Sequence, residues 1–243
     1  MSGTGVTPEA LAAPRTIFVG DVHGCAAQLE ALLQAVAYRP GTDRLLLTGD
    51  LFTKGPDPVG VWEIVQALEP EVVAGNHELR VAKILTRYAR SGDFAKPQHR
   101  EVYEQLRPIA APLLAYIRDL PLYIEDPRFL LLHAGLNPET GLAGSSEKEL
   151  VSMRTWPPVK GVVGPRWHEA WEDDGRLIVF GHDAPEGLVQ RRRADGSPYL
   201  IGLDTGCCYG GRLTAYLLEA DALASVPGWR PPGWRPISGN PLP

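Results

Sequence analysis

Two carboxylates, one amide and four imidazoles recur along this chain in one kind of setting, beside glycine and just after an apolar run. Asp21 and His23 stand in Gly20-Asp21-Val22-His23-Gly24, Asp50 follows Gly49, and Asn76 and His77 stand in Gly75-Asn76-His77-Glu78. His133 opens His133-Ala134-Gly135, and His182 follows Gly181. Singly each is weak, because Asp-x-His is as readily a capped turn as a ligand pair, and a lone histidine is commonly a hydrogen-bonded core residue. As a set, Asp21, His23, Asp50, Asn76, His133 and His182 offer mixed oxygen and nitrogen donors that suit Mn, Fe, Co, Ni, Zn or Mg better than Ca. One carboxylate can bridge two such ions about 3.5–4 Å apart, an arrangement that turns a shared water into hydroxide and stabilises charge on a phosphoryl group. Asp50 is the natural bridge, following the central strand in the order of tips. Asp21 and His23 would complete one metal, and Asn76, His133 and His182 the other.

These residues need elements to carry them. Thr16–Val19, Arg44–Thr48, Glu71–Ala74, Arg128–Leu132 and Leu177–Phe180 are short apolar runs that read as buried strands, each ending at one of the motifs. In α/β sheets ligands bind at the carboxyl ends of strands. Four of the 6 histidines fall at these tips, which scattered core histidines would not do. Leu29, Leu32, Leu33 and Val36 give Ala26–Ala37 a helical apolar face, so strand, helix and strand predict a parallel pair. A second helix runs to Leu68 and a third from about Glu78 to Arg90. That third helix has Val81, Ile84, Leu85 and Tyr88 on one face and Arg80, Lys83, Arg87 and Arg90 on another. The basic stripe reads as a solvated face; the sharper alternative is that Arg80, nearest a metal-bearing tip, meets a polyanionic substrate.

Beyond it, Gln98–Arg118 reads as two helical pieces broken around Pro108 and Pro112. Pro121–Glu125 and Arg128–His133 form a hairpin around Asp126-Pro127, and Ser146–Met153 a short helix. Leu188–Arg193 and Tyr199–Leu203 form a second hairpin at Asp195-Gly196, and Leu213–Glu219 a last strand. The expected fold class is α/β, with two stacked mixed sheets flanked by helices. Residues 1–14 read as a flexible lead-in, 15–226 as the folded domain, and 227–243 as an irregular Pro/Gly/Trp-rich tail whose Trp229 and Trp234 pack back on the body.

At 243 residues and 44% hydrophobic composition the chain can bury one substantial core. A net charge of −5 argues against nucleic-acid binding over the whole surface while leaving room for a local basic pocket. Three cysteines, two of them adjacent (Cys207, Cys208), make neither a disulfide framework nor a zinc knuckle. With no signal-like N-terminus and no membrane-length apolar run, the expected setting is the cytoplasm, without a membrane partner.

Gly-Asp-Val-His-Gly, Gly-Asp-x3-Lys-Gly-Pro, Gly-Asn-His-Glu, His-Ala-Gly and Gly-His, in that order, resemble the metallophosphoesterases of the phosphoprotein-phosphatase superfamily, over about residues 15–220. Pro40-Gly41-Thr42-Asp43 and Leu203-Asp204-Thr205-Gly206-Cys207-Cys208-Tyr209-Gly210-Gly211-Arg212-Leu213-Thr214 narrow the resemblance to symmetrical bis(5′-nucleosyl)-tetraphosphatases and ApaH-like phosphatases. The resemblance implies a dimetal phosphohydrolase, manganese being the leading metal, that splits diadenosine tetraphosphate into two ADP. Its relatives act on nucleotide-capped RNA, polyphosphate or phosphoproteins, so a Ser/Thr protein phosphatase or broad phosphomonoesterase is the alternative. The implied partner is a phosphorylated small molecule of nucleotide type, with no sequence-specific nucleic acid beyond a capped RNA end.

Carried over by position, the family pattern makes His77 the donor of a proton to the leaving oxygen. It makes Lys54, Asn76 and Arg154 the holders of substrate phosphate. This chain departs from the pattern in three places. Lys54 stands where arginine is usual, and supplies a point charge instead of a bidentate fork. Thr53 stands where protein phosphatases usually place an aspartate that orients the histidine. Asp183 stands where bacterial tetraphosphatases usually have tryptophan, and the segment before it is short, which implies a reduced capping lobe and an open site.

Overall fold

A computed structural model describes residues 13–159 and 163–230. The lead-in through residue 12 and the tail from 231, with Trp234, lie outside the described residues.

The first half alternates strand and helix: β1 (Thr16–Val19), α1 (Ala26–Ala35), β2 (Arg44–Leu47), α2 (Pro58–Leu68), β3 (Glu71–Val72) and α3 (Asn76–Ser91). Two helices follow, α4 (Pro97–Leu106) and α5 (Ala110–Asp119), joined by a 3-10 turn that contains Pro108. The second half carries β4 (Tyr123–Asp126), β5 (Phe129–Leu132), α6 (Gly141–Gly144), α7 (Glu147–Ser152), β6 (Leu177–Phe180), β7 (Val189–Arg192), β8 (Pro198–Gly202), β9 (Arg212–Leu217) and β10 (Ala222–Pro227).

These strands make two five-stranded mixed sheets, ordered β10-β9-β1-β2-β3 and β4-β5-β6-β8-β7. β1 pairs in parallel with β2, and β2 with β3, while β5, β6 and β8 are parallel in the other sheet. β1, and not β2, holds the centre of the first sheet.

Alternation along the strands explains why the runs are apolar throughout. Ile17, Val19, Leu45 and Leu47 face the helices, whereas Phe18 and Leu46 face the opposite sheet. Phe129, Leu131, Leu177 and Val179 meet them there, and Leu130, Leu132, Ile178 and Phe180 face outward onto a cluster with Trp167 and Trp171. A strand covered on both faces has no position left for a polar residue. Phe18 sits edge-on to Phe129 with ring centroids 4.8 Å apart, which ties the central strand of one sheet to the other sheet.

Several boundaries differ from the sequence reading. α1 stops at Ala35, two residues early, and Ala37 takes a left-handed backbone (φ 48°). β3 keeps only two paired residues, and α3 begins at Asn76, so Asn76 and His77 occupy the helix's first turn. β10 went unread, because Ala, Ser and Pro have weak strand preference; as an edge strand it needs only β9 beside it, with Pro227 at its end. Trp229 packs against the helix-side cluster as expected.

Candidate metal centre

The loops after β1, β2, β5 and β6, together with the first turn of α3, meet at one edge of the sandwich. Two groups of potential ligands lie there, His23 with Asp50 and His77, and Asp50 with His133 and His182, the atoms of each group within 4.8 Å of one another. Asp50 belongs to both. His23 Nε2 is 3.5 Å from Asp50 Oδ2, His77 Nε2 is 3.9 Å from the same oxygen, and His133 Nε2 is 3.4 Å from Asp50 Oδ1. Asn76 Oδ1 lies 3.2 Å from His133 Nε2.

Asp21 is buried beside these groups. Its Oδ1 accepts from the Thr48 hydroxyl at 2.9 Å, and both its oxygens lie 3.2 Å from the His182 main-chain N–H. Gly181 is what allows this approach, because a Cβ there would overlap Asp21 Oδ1 and Thr48 Oγ1.

The hydrogen-bond pattern is the informative feature. His133 Nδ1 donates to the Thr48 carbonyl at 2.7 Å, which turns Nε2, the other ring nitrogen, toward the Asp50 carboxylate and the Asn76 amide oxygen. His182 hydrogen-bonds the Ser152 main chain, and its buried Nε2 has no partner. His23 Nε2 accepts from the Lys54 ammonium at 2.8 Å. Asp21 and Asp204, both buried, share a side-chain hydrogen bond. Acceptors crowded this way repel one another unless a proton or a cation stands among them, so the donor set fits divalent metal.

The electrostatics agree. Burial, with the charges of Asp204 and Asp50, pushes the Asp21 carboxyl well up, and burial also raises Asp204. Burial would raise Asp50 too, but His133, His23, His77 and the His77 N–H together hold it well below the usual carboxylate range. Burial lowers His23, takes His77 down to about 4, and takes His182, with help from His133 and Arg154, to about 2.

Backbone strain gathers at the same edge. His23 (φ 48°), Asp50 (φ 55°), Lys54 (φ 70°) and His182 (φ 69°) all take left-handed conformations that non-glycine residues rarely adopt.

The remaining residues singled out in the sequence also arrive here. Thr53 Oγ1 stands 2.6 Å from His77 Nδ1, so a hydroxyl fills the orienting place that the resemblance reserves for aspartate. Lys54 lies over the Tyr209 ring, its Nζ 5.0 Å from the centroid, and hydrogen-bonds that phenol. Arg154 donates to the His182 carbonyl at 2.9 Å, and its Nε is 3.4 Å from Asp183 Oδ1. Asp183 also pairs with Arg166 at 2.8 Å, and burial pushes its carboxyl up to about 6.

Glu78 escaped the sequence reading. Its buried carboxylate accepts from the N–H groups of Asp50 (2.6 Å), Leu51 (2.7 Å) and Gly75 (3.0 Å), so one side chain pins the turn after β2 to the start of α3. The available signal was a glutamate at the third position of a helix, the place of a capping box; its reach to Asp50 was not in that signal.

Residues 14–223 match the calcineurin-like phosphoesterase family. A symmetrical bis(5′-nucleosyl)-tetraphosphatase of Cronobacter sakazakii is 30% identical, over 86% of this chain and 92% of its own. Its counterpart in Salmonella paratyphi C is 28% identical, over 84% and 91%. A crystal structure of a protein assigned as a diadenosine tetraphosphatase superposes with a TM-score of 0.76 at 33% identity, covering 91% of this chain and 96% of that one. A Saccharomyces cerevisiae serine/threonine phosphatase shares the fold, with a TM-score of 0.62 at 16% identity, over 93% of this chain and 83% of that one. Among the described residues no helix is long and apolar enough to cross a membrane.

Proposed function

The chain belongs to the calcineurin-like phosphoesterase family, and on that premise we propose that it hydrolyses the phosphoanhydride chain of dinucleoside polyphosphates, cutting diadenosine tetraphosphate into two ADP. It is a metal-dependent phosphoric ester or anhydride hydrolase. The tetraphosphatase relatives support this substrate over a phosphoprotein. The observation that carries the reading is the convergence of the His23, His77 and His133 imidazoles on the Asp50 carboxylate, with the Asn76 amide beside His133.

Two divalent ions, manganese first among the candidates, are proposed to be held by Asp21, His23, Asp50, Asn76, His133 and His182. Such a pair supplies Lewis-acid stabilisation of phosphoryl charge and lowers the pKa of water at the site.

The protein's own contribution is positional. The Thr48 carbonyl keeps His133 Nε2 aimed at Asp50, and the Ser152 main chain orients the His182 ring. His77, its Nδ1 against the Thr53 hydroxyl, presents Nε2 beside Asp50, and a proton held there passes to the leaving oxygen. Lys54 adds a solvent-accessible ammonium at the same edge that attracts phosphate oxygen, steadied by Tyr209. Arg154 is anchored through the His182 carbonyl and Asp183, so its guanidinium is oriented before a phosphate arrives. The proposed setting is the cytoplasm, with a nucleotide as the partner.

Product analysis with added manganese tests the reading, offering diadenosine tetraphosphate beside a phosphoserine peptide. Two ADP with slow peptide turnover is the expected result. ATP plus AMP would refute symmetrical cleavage, and fast peptide turnover with an untouched dinucleotide would replace the substrate.

A further inference from the structure

The cations of the α3 stripe are solvent-exposed, as its spacing suggests, but they also border a groove. Arg80, Lys83 and Arg87 line a groove of about 470 Å³ that begins at Asn76, with His99 of α4 and Lys148 of α7 also on its walls. The groove continues past Lys83 and Arg87 into an adjoining hollow of about 580 Å³ that reaches Arg90. Glu147 is the acidic lining residue, and Arg87 is tied to Asp93 at 3.1 Å at the surface. Burial and the charges of Arg80, Lys96 and Arg87 all push the His99 imidazole pKa down, as a positive field along the groove requires. The volume is in the range of small-molecule sites, roughly 300–1,000 Å³.

Two features separate this groove from an ordinary charged helix face. Its head is Asn76, whose amide oxygen stands 3.2 Å from His133 Nε2, so it adjoins the candidate metal centre. It is also graded in length: from Asn76 to Arg87 the helix rises about 16 Å at roughly 1.5 Å per residue, with a cation at each turn.

We infer that the α3 groove is a subsite for the anionic chain of the substrate beyond the phosphate that is attacked, taking linear phosphate of several charges in preference to a single phosphate. The inference rests on the phosphohydrolase reading of the adjoining site. Arg80 and Arg87 offer planar forks to phosphate oxygens, and Lys83 and Lys148 offer point charges, so the groove recognises charge and length with little regard for the base at the far end. Together they make the enzyme selective for chain length.

Equilibrium binding decides this independently of turnover. A methylene-bridged, non-hydrolysable analogue of tripolyphosphate (hereafter tripolyphosphate) and orthophosphate are titrated calorimetrically into manganese-loaded protein at fixed free manganese, for the wild type, Lys83→Glu/Arg87→Glu and the milder Lys83→Gln/Arg87→Gln. Arg80 is left in place because it adjoins Asn76 and His77. The expected result is that tripolyphosphate affinity falls about tenfold or more in the charge-reversed variant, and less in the neutralised one, while orthophosphate affinity shifts by a smaller factor. Equal shifts for the two anions, or none for tripolyphosphate, would overturn the inference. Kinetics with diadenosine tetraphosphate and an aryl phosphate run alongside: a wild type that cuts only the aryl phosphate removes the dinucleotide reading, and leaves the binding result to decide the groove.

Discussion

Replacing Thr53 with valine removes one hydroxyl that stands 2.6 Å from His77 Nδ1 and 3.4 Å from His23 Nδ1. Thr53 is only 4% exposed, so water cannot take the place of the lost oxygen. A neutral hydrogen bond contributes about 0.5–1.5 kcal/mol, and a buried group left without its partner costs about 1–3 kcal/mol. If half or more of that penalty of about 1–3 kcal/mol falls on the orientation of the imidazole in the transition state, kcat drops between about 2- and 150-fold. The drop depends on the leaving group. A phenol of ordinary acidity needs a proton from His77 as its bond to phosphorus breaks, whereas nitrophenolate departs with less help. The assay is therefore kcat and KM on phenyl phosphate and nitrophenyl phosphate at saturating manganese, with Tm measured on the same samples. The expected pattern is a larger kcat loss on phenyl phosphate, little change in KM, and recovery in Thr53→Ser. A valine variant that keeps its Tm and stays within about twofold of wild-type kcat on phenyl phosphate would refute the argument that the hydroxyl positions a proton donor.

Glu78→Gln leaves one acceptor oxygen for three N–H donors, so at least one of those of Asp50, Leu51 and Gly75 meets an amide NH2. A stability loss of about 1–3 kcal/mol and reduced manganese retention are expected; unchanged melting and unchanged metal content would refute the role given to Glu78. Burial alone would raise the Asp43 carboxyl, but the side chains and main-chain N–H groups of Arg15 and Arg39 outweigh it and hold it well below the usual range. Its folded state therefore takes up a proton less readily than the unfolded chain, at about 3.9, so its stabilisation is complete above that pH and is lost as pH falls toward the lower folded value. Urea midpoints between about pH 6 and 3 should fall less steeply in Asp43→Asn than in the wild type, and parallel slopes would count against it. Chelating the metal should lower Tm by about 5–10 °C, since an ion at a hundredfold its Kd stabilises by about 2.7 kcal/mol, and a Tm indifferent to manganese would contradict the fit of the donor set.

The strands and the residues at their tips were legible in the sequence, and for one reason. In a two-sheet sandwich the central strands are covered on both faces, so residues 17–19, Phe129–Leu132 and Leu177–Phe180 are apolar throughout and stand out without periodicity. A polar residue directly after such a run is conspicuous. Edge strand β10 has no such constraint and left no signal.

What tertiary structure alone decided is which tips meet and what each side chain does there. Thr53 reaching His77, Glu78 reaching Asp50, and Asp204 reaching Asp21 join residues that no local pattern links. The left-handed turns at His23, Asp50, Lys54 and His182 are held by surrounding structure against the local preference of non-glycine residues, which is why local preference could not announce them. The α3 stripe makes the same point. Its cations were countable from their spacing, but whether they faced water or a groove depended on where α4 and α7 came to rest. Hydrophobic burial is written into local composition and so can be read one segment at a time. The pairing of buried polar groups depends on distances across the sandwich, and those exist only once it has closed.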